Sequence, residues 1–383
     1  MRFASSFVSF HEGKHTMRMM IIYIAALAGA LAFRPVSAQQ KVFMDAGFET
    51  GRIQRSGGTV DAFWVMSMPD PQPAGECSFI AAAGDGGFDA GSRTDVRVVK
   101  SEVWKDETVR PRAGAYFVRN VIHRNKCYPN DAPRSHLVLT TPAQEYLWDE
   151  EIWVGFSVYV PRTWEHDNKY KRDDQAHLSG ISVFASNASA ASSHLSLRIH
   201  PSATSDFNEW TIKLVSTDAT SITDKSSTFH SIGSIVPDLG KWTDFVFRIR
   251  FNPFSRRTNP AQEGISGARD QWYEGNRGIL QVWKSSGNAD SSGDRPMNLV
   301  FSKVNQPLGV VPRADRGLRL IFDMYKYSWQ TFDTDPEGPI FMGYDEIRYG
   351  RTAREGTGFA DVAPSGTPLT SDGIPEPPTL SVN

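Results

Sequence analysis

A two-residue rhythm narrows the fold of this chain more than any other feature. Between Gln40 and Gly350 apolar residues fall at alternate positions, in short runs separated by turn residues, which is the period of a strand with one face buried. Trp153 to Val160 sets Val154, Phe156, Val158 and Val160 on one side. Thr243 to Phe251 sets Phe245, Phe247, Ile249 and Phe251 on one side and Arg248 and Arg250 on the other. Leu195, Leu197 and Ile199 alternate with Ser196, Arg198 and His200, and Phe322 and Met324 stand opposite Asp323, Tyr325 and Tyr327. Helical spacing is nearly absent. The expectation is an all-β chain in two packed antiparallel sheets, a sandwich or jelly roll, each sheet with one side buried.

The flanks read differently. Met17-Arg18-Met19-Met20, the apolar run Ile21 to Phe33 and Val36-Ser37-Ala38 supply the charged start, short apolar middle and small-residue end of a secretory signal. The run is shorter than the roughly 20 apolar residues that span a bilayer, which argues against an anchor. Cleavage after Ala38 is expected, with translation starting at Met17, and the mature chain secreted or periplasmic. A single domain is expected over 39–353. From Arg354 to Asn383 the chain reads as a disordered tail rich in Pro, Ser and Thr. Cys77 and Cys127 are the chain's two cysteines. In an oxidising compartment they form one disulfide or remain as two thiols. A formal charge of -2 argues against a nucleic-acid partner, and no later run is long and apolar enough to span a membrane. Ten tryptophans suit sugar stacking or a sandwich core. A monomer is expected.

Several groups suit a uronic-acid polymer. Its cleavage by β-elimination needs the carboxylate neutralised, a carbon-bound proton removed and the departing oxygen protonated. Arg134 and His136 are two apart, as are Gln175 and His177, and Tyr325 follows Asp323 by the same step; residues two apart share a strand face. In this order the segments Arg134-Ser135-His136-Leu137, Gln175-Ala176-His177 and Leu320 to Tyr327 resemble the three motifs of the jelly-roll polysaccharide lyases. That superfamily holds alginate, glucuronan and heparin lyases, and its motifs read Arg-Ser-Glu-Leu, Gln-Ile/Val-His and a late Tyr-x-Lys-x-Gly-x-Tyr strand. Phe48-Glu49-Thr50-Gly51, Trp153-Val154-Gly155-Phe156-Ser157, Gly240 to Phe245, Gly278 to Lys284 and Tyr344 to Arg348 are similar to its framework segments.

The resemblance implies a concanavalin-like β-jelly-roll. It makes His177 the base or carboxylate neutraliser and Gln175 a carboxylate donor. Arg134 becomes a second carboxylate contact, and Tyr325 the proton donor and a candidate base. His136, Arg198 and Lys326 join as substrate contacts. This chain departs from the motifs at His136, which replaces a glutamate, at Ala176, and at Ile321 and Asp323, where Lys and Gly are expected. A second alignment puts Ser182 to Asn187 on the Gln-x-His strand and leaves His177 in the loop before it. Asp45, Glu49 and Asp345 lie at chain ends that pair in such sandwiches, and are candidates for a structural calcium or for ordinary turn contacts. No other cofactor is expected. The function implied is a lyase acting on an acidic polysaccharide, with a non-catalytic carbohydrate-binding protein on the same fold as the alternative.

Overall fold

In a computed structural model of the chain, the residues described are 44–49, 63–67, 80–82, 96–122, 134–139, 150–165, 178–185, 194–202, 204–217, 225–252, 277–285, 296–306, 308–309, 318–325 and 339–364. All belong to the unit Lys41–Asn383. The expected signal, both cysteines, the loop 253–276 and the tail beyond Pro364 lie outside the described residues.

Eighteen strands are described: β1 Met44–Ala46, β2 Phe63–Ser67, β3 Ile80–Ala82, β4 Arg97–Val99, β5 Glu102–Trp104, β6 Glu107–Val109, β7 Phe117–Ile122, β8 Arg134–Leu139, β9 Ile152–Val160, β10 Leu178–Ala185, β11 Leu195–Pro201, β12 Asn208–Thr217, β13 Lys225–Ser234, β14 Lys241–Arg250, β15 Gly278–Ser285, β16 Met297–Gln306, β17 Leu318–Tyr325 and β18 Ile340–Arg351. Two short helices follow, α1 Thr352–Glu355 and α2 Phe359–Val362. The first sheet runs β16-β15-β14-β9-β18-β7-β4, with β1 also on β18. The second runs β13-β12-β11-β10-β17-β8-β2-β3, and β5-β6 is a separate hairpin. Every pairing is antiparallel, and the two packed sheets form the expected jelly-roll sandwich.

The expected alternation is what packs the sheets together. Val154, Phe156, Val158, Phe245, Phe247 and Ile249 of the first sheet meet Leu195, Leu197, Ile212, Leu320, Phe322 and Met324 of the second in one buried core. Ring contacts cross the gap, Phe156 to Phe322 at 5.2 Å and Trp210 to Phe245 at 5.1 Å. Each such ring or branched side chain contributes about 1.5–3 kcal/mol when fully buried. A polar tie also joins the sheets. Asp238, fully buried in the 3₁₀ turn Val236–Asp238, receives the Trp210 indole N–H from β12 at 2.7 Å and pairs with Lys284 of β15 at 2.7 Å.

One-sided burial fails for the first sheet, because its outer face is covered too. Over one part of it Val109, Phe117, Val121, Tyr159, Trp242 and Phe341 cluster with Trp104 of the hairpin. Over another, Trp153 stacks on Trp283 at 5.7 Å, and Phe359 of α2 meets both rings edge-on. Polar residues at outer positions are buried by pairing. Arg112 makes two bonds to Asp244, which also accepts from Ser157, and Glu151 holds both Arg248 and Arg250.

The segment from Arg354 to Pro364, read from the sequence as part of the tail, is among the described residues. Residues through Val362 form α1 and α2, and Phe359 and Val362 are buried in the cluster over β9. Gly155 permits this contact: a Cβ there would stand 1.8 Å from the carbonyl oxygen of Val362.

Candidate active site

The outer face of the second sheet is where the motif strands come together. β10, β17 and β8 are consecutive in it, with β11 next to β10. On these strands Leu137, Leu195, Leu197, Leu320, Phe322 and Met324 face the core, so the positions of opposite parity belong to the outer face. On β8 these are Arg134 and His136, on β17 Ile321, Asp323 and Tyr325, and on β11 Ser196, Arg198 and His200. The β8–β17 register sets Arg134 directly opposite Tyr325 and His136 opposite Asp323. Directly paired residues of an antiparallel ladder are lateral neighbours about 4.5–5.5 Å apart. Ser179 of β10 stands opposite Arg198 of β11.

The described side chains here are fixed by local bonds. Arg198 donates through Nε to Ser196 Oγ at 2.8 Å, so the hydroxyl two residues away holds the guanidinium. His200 donates from Nδ1 to the Pro201 carbonyl at 2.8 Å; the carbonyl can only accept, which places the proton on Nδ1. Tyr325, the last residue of β17, is half-buried.

The structure thus sets Arg134 beside Tyr325 and His136 beside Asp323, and places Arg198 two strands from β17. Gln175, His177 and Lys326 lie outside the described residues; β10 begins at Leu178, one residue after His177, and β17 ends one residue before Lys326. His194 is buried against Phe251, ring centroids 6.0 Å apart, and His230 lies against Phe301 at 4.9 Å. Burial and Lys303 lower the His230 pKa.

The chain ends pair as expected, β1 on β18, with Asp45 opposite Arg348. The three carboxylates there have partners within the protein. Asp45 pairs with Arg348 at 3.2 Å. Glu49 accepts the Ala115 N–H through both oxygens. Asp345 accepts the N–H groups of Arg112, Ala113 and Glu346. Burial pushes the Asp345 carboxyl up to about 8 against these bonds. Glu346 takes a positive φ of 49° at an irregularity in the β9–β18 ladder. Among the described residues no group of three His, Cys, Asp or Glu is arranged to hold a metal ion.

Two residues of this face were not anticipated, Lys213 and Phe229. The sequence signal for Lys213 was present: Trp210, Ile212 and Leu214 alternate with Thr211 and Lys213. Phe229 is a lone aromatic in a strand rich in Ser and Thr, which no periodicity singles out.

A family model described as polysaccharide lyase matches residues 93–298, more than half of the chain. The match runs through β8 and β10 to β13, while β17 lies beyond it. Among solved structures the chain is similar to the endo-β-1,4-glucuronan lyase of the fungus Trichoderma reesei, at 16% identity and a TM-score of 0.48, over 71% of this chain and 90% of that one. It is also similar to the alginate lyase of Klebsiella pneumoniae, at 11% identity and a TM-score of 0.42, over 76% of this chain and 96% of that one. No curated protein sequence matches it. With that family model spanning more than half its length, this chain belongs to the polysaccharide lyase family and is an enzyme of the lyase class.

Proposed function

We propose that this lyase is exported and cleaves an acidic, uronic-acid-containing polysaccharide by β-elimination. The observation that supports this reading is the pairing of Arg134 with Tyr325 on adjacent strands of the motif-bearing sheet.

The chemistry asks for three services, and this face has residues suited to each. A carboxylate beside the acidic carbon makes its proton removable only when the charge that develops there is stabilised. Arg134, and Gln175 with His177 as the resemblance assigns them, would bind that carboxylate. The base, for which the resemblance offers His177 and the Tyr325 phenolate, takes the proton from this carbon, the electron pair forms the carbon–carbon double bond, and the bond to the departing glycosidic oxygen breaks. That oxygen receives a proton from Tyr325. A tyrosine titrates near pH 10, and positive charge nearby favours its phenolate. Tyr325, half-buried at the end of β17, is the group that the resemblance assigns to this step. The new non-reducing end is an unsaturated uronic acid.

The export half of the reading rests on the three-part segment Met17 to Ala38. Among the described residues no helix is long and apolar enough to cross a membrane.

The test is the ultraviolet absorbance of the conjugated product during incubation with polyglucuronate, alginate and heparin. A rise on at least one polymer, lost in His177→Ala, is expected. A folded enzyme that releases no unsaturated product from any of the three overturns the β-elimination reading.

A further inference from the structure

Away from Tyr325, the outer face of the second sheet gathers positive charge around one exposed ring. Phe229 of β13 is 39% exposed. The Lys213 ammonium of β12 lies 5.4 Å from its centroid, and the Arg198 guanidinium of β11 lies 5.9 Å away. The His200 ring is 5.7 Å distant at a tilt of 37°. Three adjacent strands therefore each contribute to one cluster.

The register explains how. Ser182 on β10 pairs with Ser196, Ser196 with Lys213, and Lys213 with Phe229, forming one unbroken row across four strands. The row continues through Ser182 to Ile321 on β17, four residues before Tyr325. Arg198 stands two residues along β11 from Ser196, on the Tyr325 side of the row. At about 4.8 Å per strand, β12 lies roughly 14 Å and β13 roughly 19 Å from β17. An extended polymer seated on Tyr325 and running obliquely over Arg198 reaches Lys213 and Phe229 a few sugar residues later.

The chemistry fits a sugar acid more closely than a neutral sugar. An exposed phenyl ring offers its face to the C–H surface of a pyranose, while cations beside it take a carboxylate in charge-assisted bonds. Arg198 and Lys213 are only 5% and 6% exposed, so both are packed into the sheet surface beside the exposed ring. The Ser196 bond and the ring contact fix these side chains before any ligand arrives, which lowers the entropy cost of binding. Among the described residues, Glu209, opposite His200 on β12, adjoins the cluster and is held by the Ser231 hydroxyl at 2.9 Å.

We propose that Phe229, Lys213 and Arg198 form a distal subsite that holds one carboxylate-bearing sugar of the polymer, a few residues along from the bond that is cut. The proposal rests on the outer face of this sheet being the substrate face, and it makes the enzyme select for chain length.

Lys213→Ala and Phe229→Ala are expected to raise KM on an acidic polymer about tenfold each, the size of one charge-assisted contact, with a much smaller change in kcat. The loss should shrink as the substrate is shortened to oligomers that end before the platform. Lys213→Arg should restore most of the KM, and Phe229→Tyr should do the same, which separates a lost contact from a damaged sheet. Equal losses on polymer and short oligomers, or a fall in kcat at constant KM, overturn the subsite. Retardation of the protein in gels containing polyglucuronate, alginate or heparin reads the same platform without catalysis. Retardation weakened by Lys213→Ala supports the subsite even where no polymer is cleaved, in which case the elimination reading alone fails. Retardation by all three polymers that is indifferent to both Ala variants overturns the subsite.

Discussion

The outer faces of the two sheets are finished differently. On the first sheet, aromatic clusters under the β5-β6 hairpin and under α2 cover the surface, and every residue of β7 and β9 is buried. On the second, none of the described apolar clusters lies outside the sandwich, and the outer positions of β11 and β12 hold Ser196, Arg198, His200, Thr211 and Lys213, which are buried as well but polar. A sheet buried on both faces is rigid support, because its packing cannot relax on one side alone. A sheet with one polar face can spend that face on binding. The difference implies that substitutions on the first face act on stability and substitutions on the second act on turnover.

Four experiments would break or sharpen that division. Tyr325→Phe should lower kcat about 10²- to 10⁴-fold, the range for losing a positioned acid or base, with the melting temperature nearly unchanged. A fall in melting temperature large enough to account for the lost activity would end the separation of roles. Glu151→Ala should do the reverse. It removes the carboxylate that pairs with Arg248 and Arg250 and one of the partners of Thr352, costing about 3 kcal/mol by denaturant unfolding, while kcat/KM of the folded fraction holds.

Asp345 makes the division depend on pH. Its folded pKa is about 8 against an ordinary 3.8, because burial outweighs the bonds it accepts. The folded state therefore binds the proton more tightly than the unfolded chain. The stability this contributes is complete below the ordinary carboxylate range and is lost as pH rises toward 8. Melting temperatures measured from pH 5 to pH 9 should fall with rising pH, and Asp345→Asn should flatten the slope; an unchanged slope would show that the carboxyl is not its source. Glu151 has the opposite sign: its pKa is lowered by Arg248 and Arg250 against the burial that would raise it, so its contribution disappears only as the solution becomes strongly acidic. The smallest effect belongs to the exposed pair Lys105–Glu165. Glu165→Ala should change stability by about 0–1 kcal/mol, and a larger loss would mean that the hairpin is held by its rim and not by the rings beneath it.

What the sequence discloses follows the same division. The core-facing stripes of β9, β14, β11 and β17 are legible because burial on the inner face forces a strict two-residue period. The covering of the first sheet is not, because Arg248 and Arg250 read as solvent-facing until Glu151 is seen between them. The helices α1 and α2 escape notice for a related reason. Each is four residues long, and their stability comes from Trp153, Trp283 and Gly155, which lie far away in sequence. At the site, the motif segments are visible as residue types in order. That Arg134 stands opposite Tyr325 is a matter of register between strands almost two hundred residues apart, and alternation fixes faces without fixing partners. Phe229 is the hardest to foresee, since its meaning comes entirely from Lys213 and Arg198 on the neighbouring strands.

The seat of α2 on Gly155 also decides how the enzyme can be held. Its last residue, Val362, is pressed against the back of the sandwich, on the side away from the motif strands. A tether attached after Pro364 therefore starts from the rear of the molecule. A chain truncated at Pro364 and coupled through that residue would stand with the outer face of its second sheet turned away from the support.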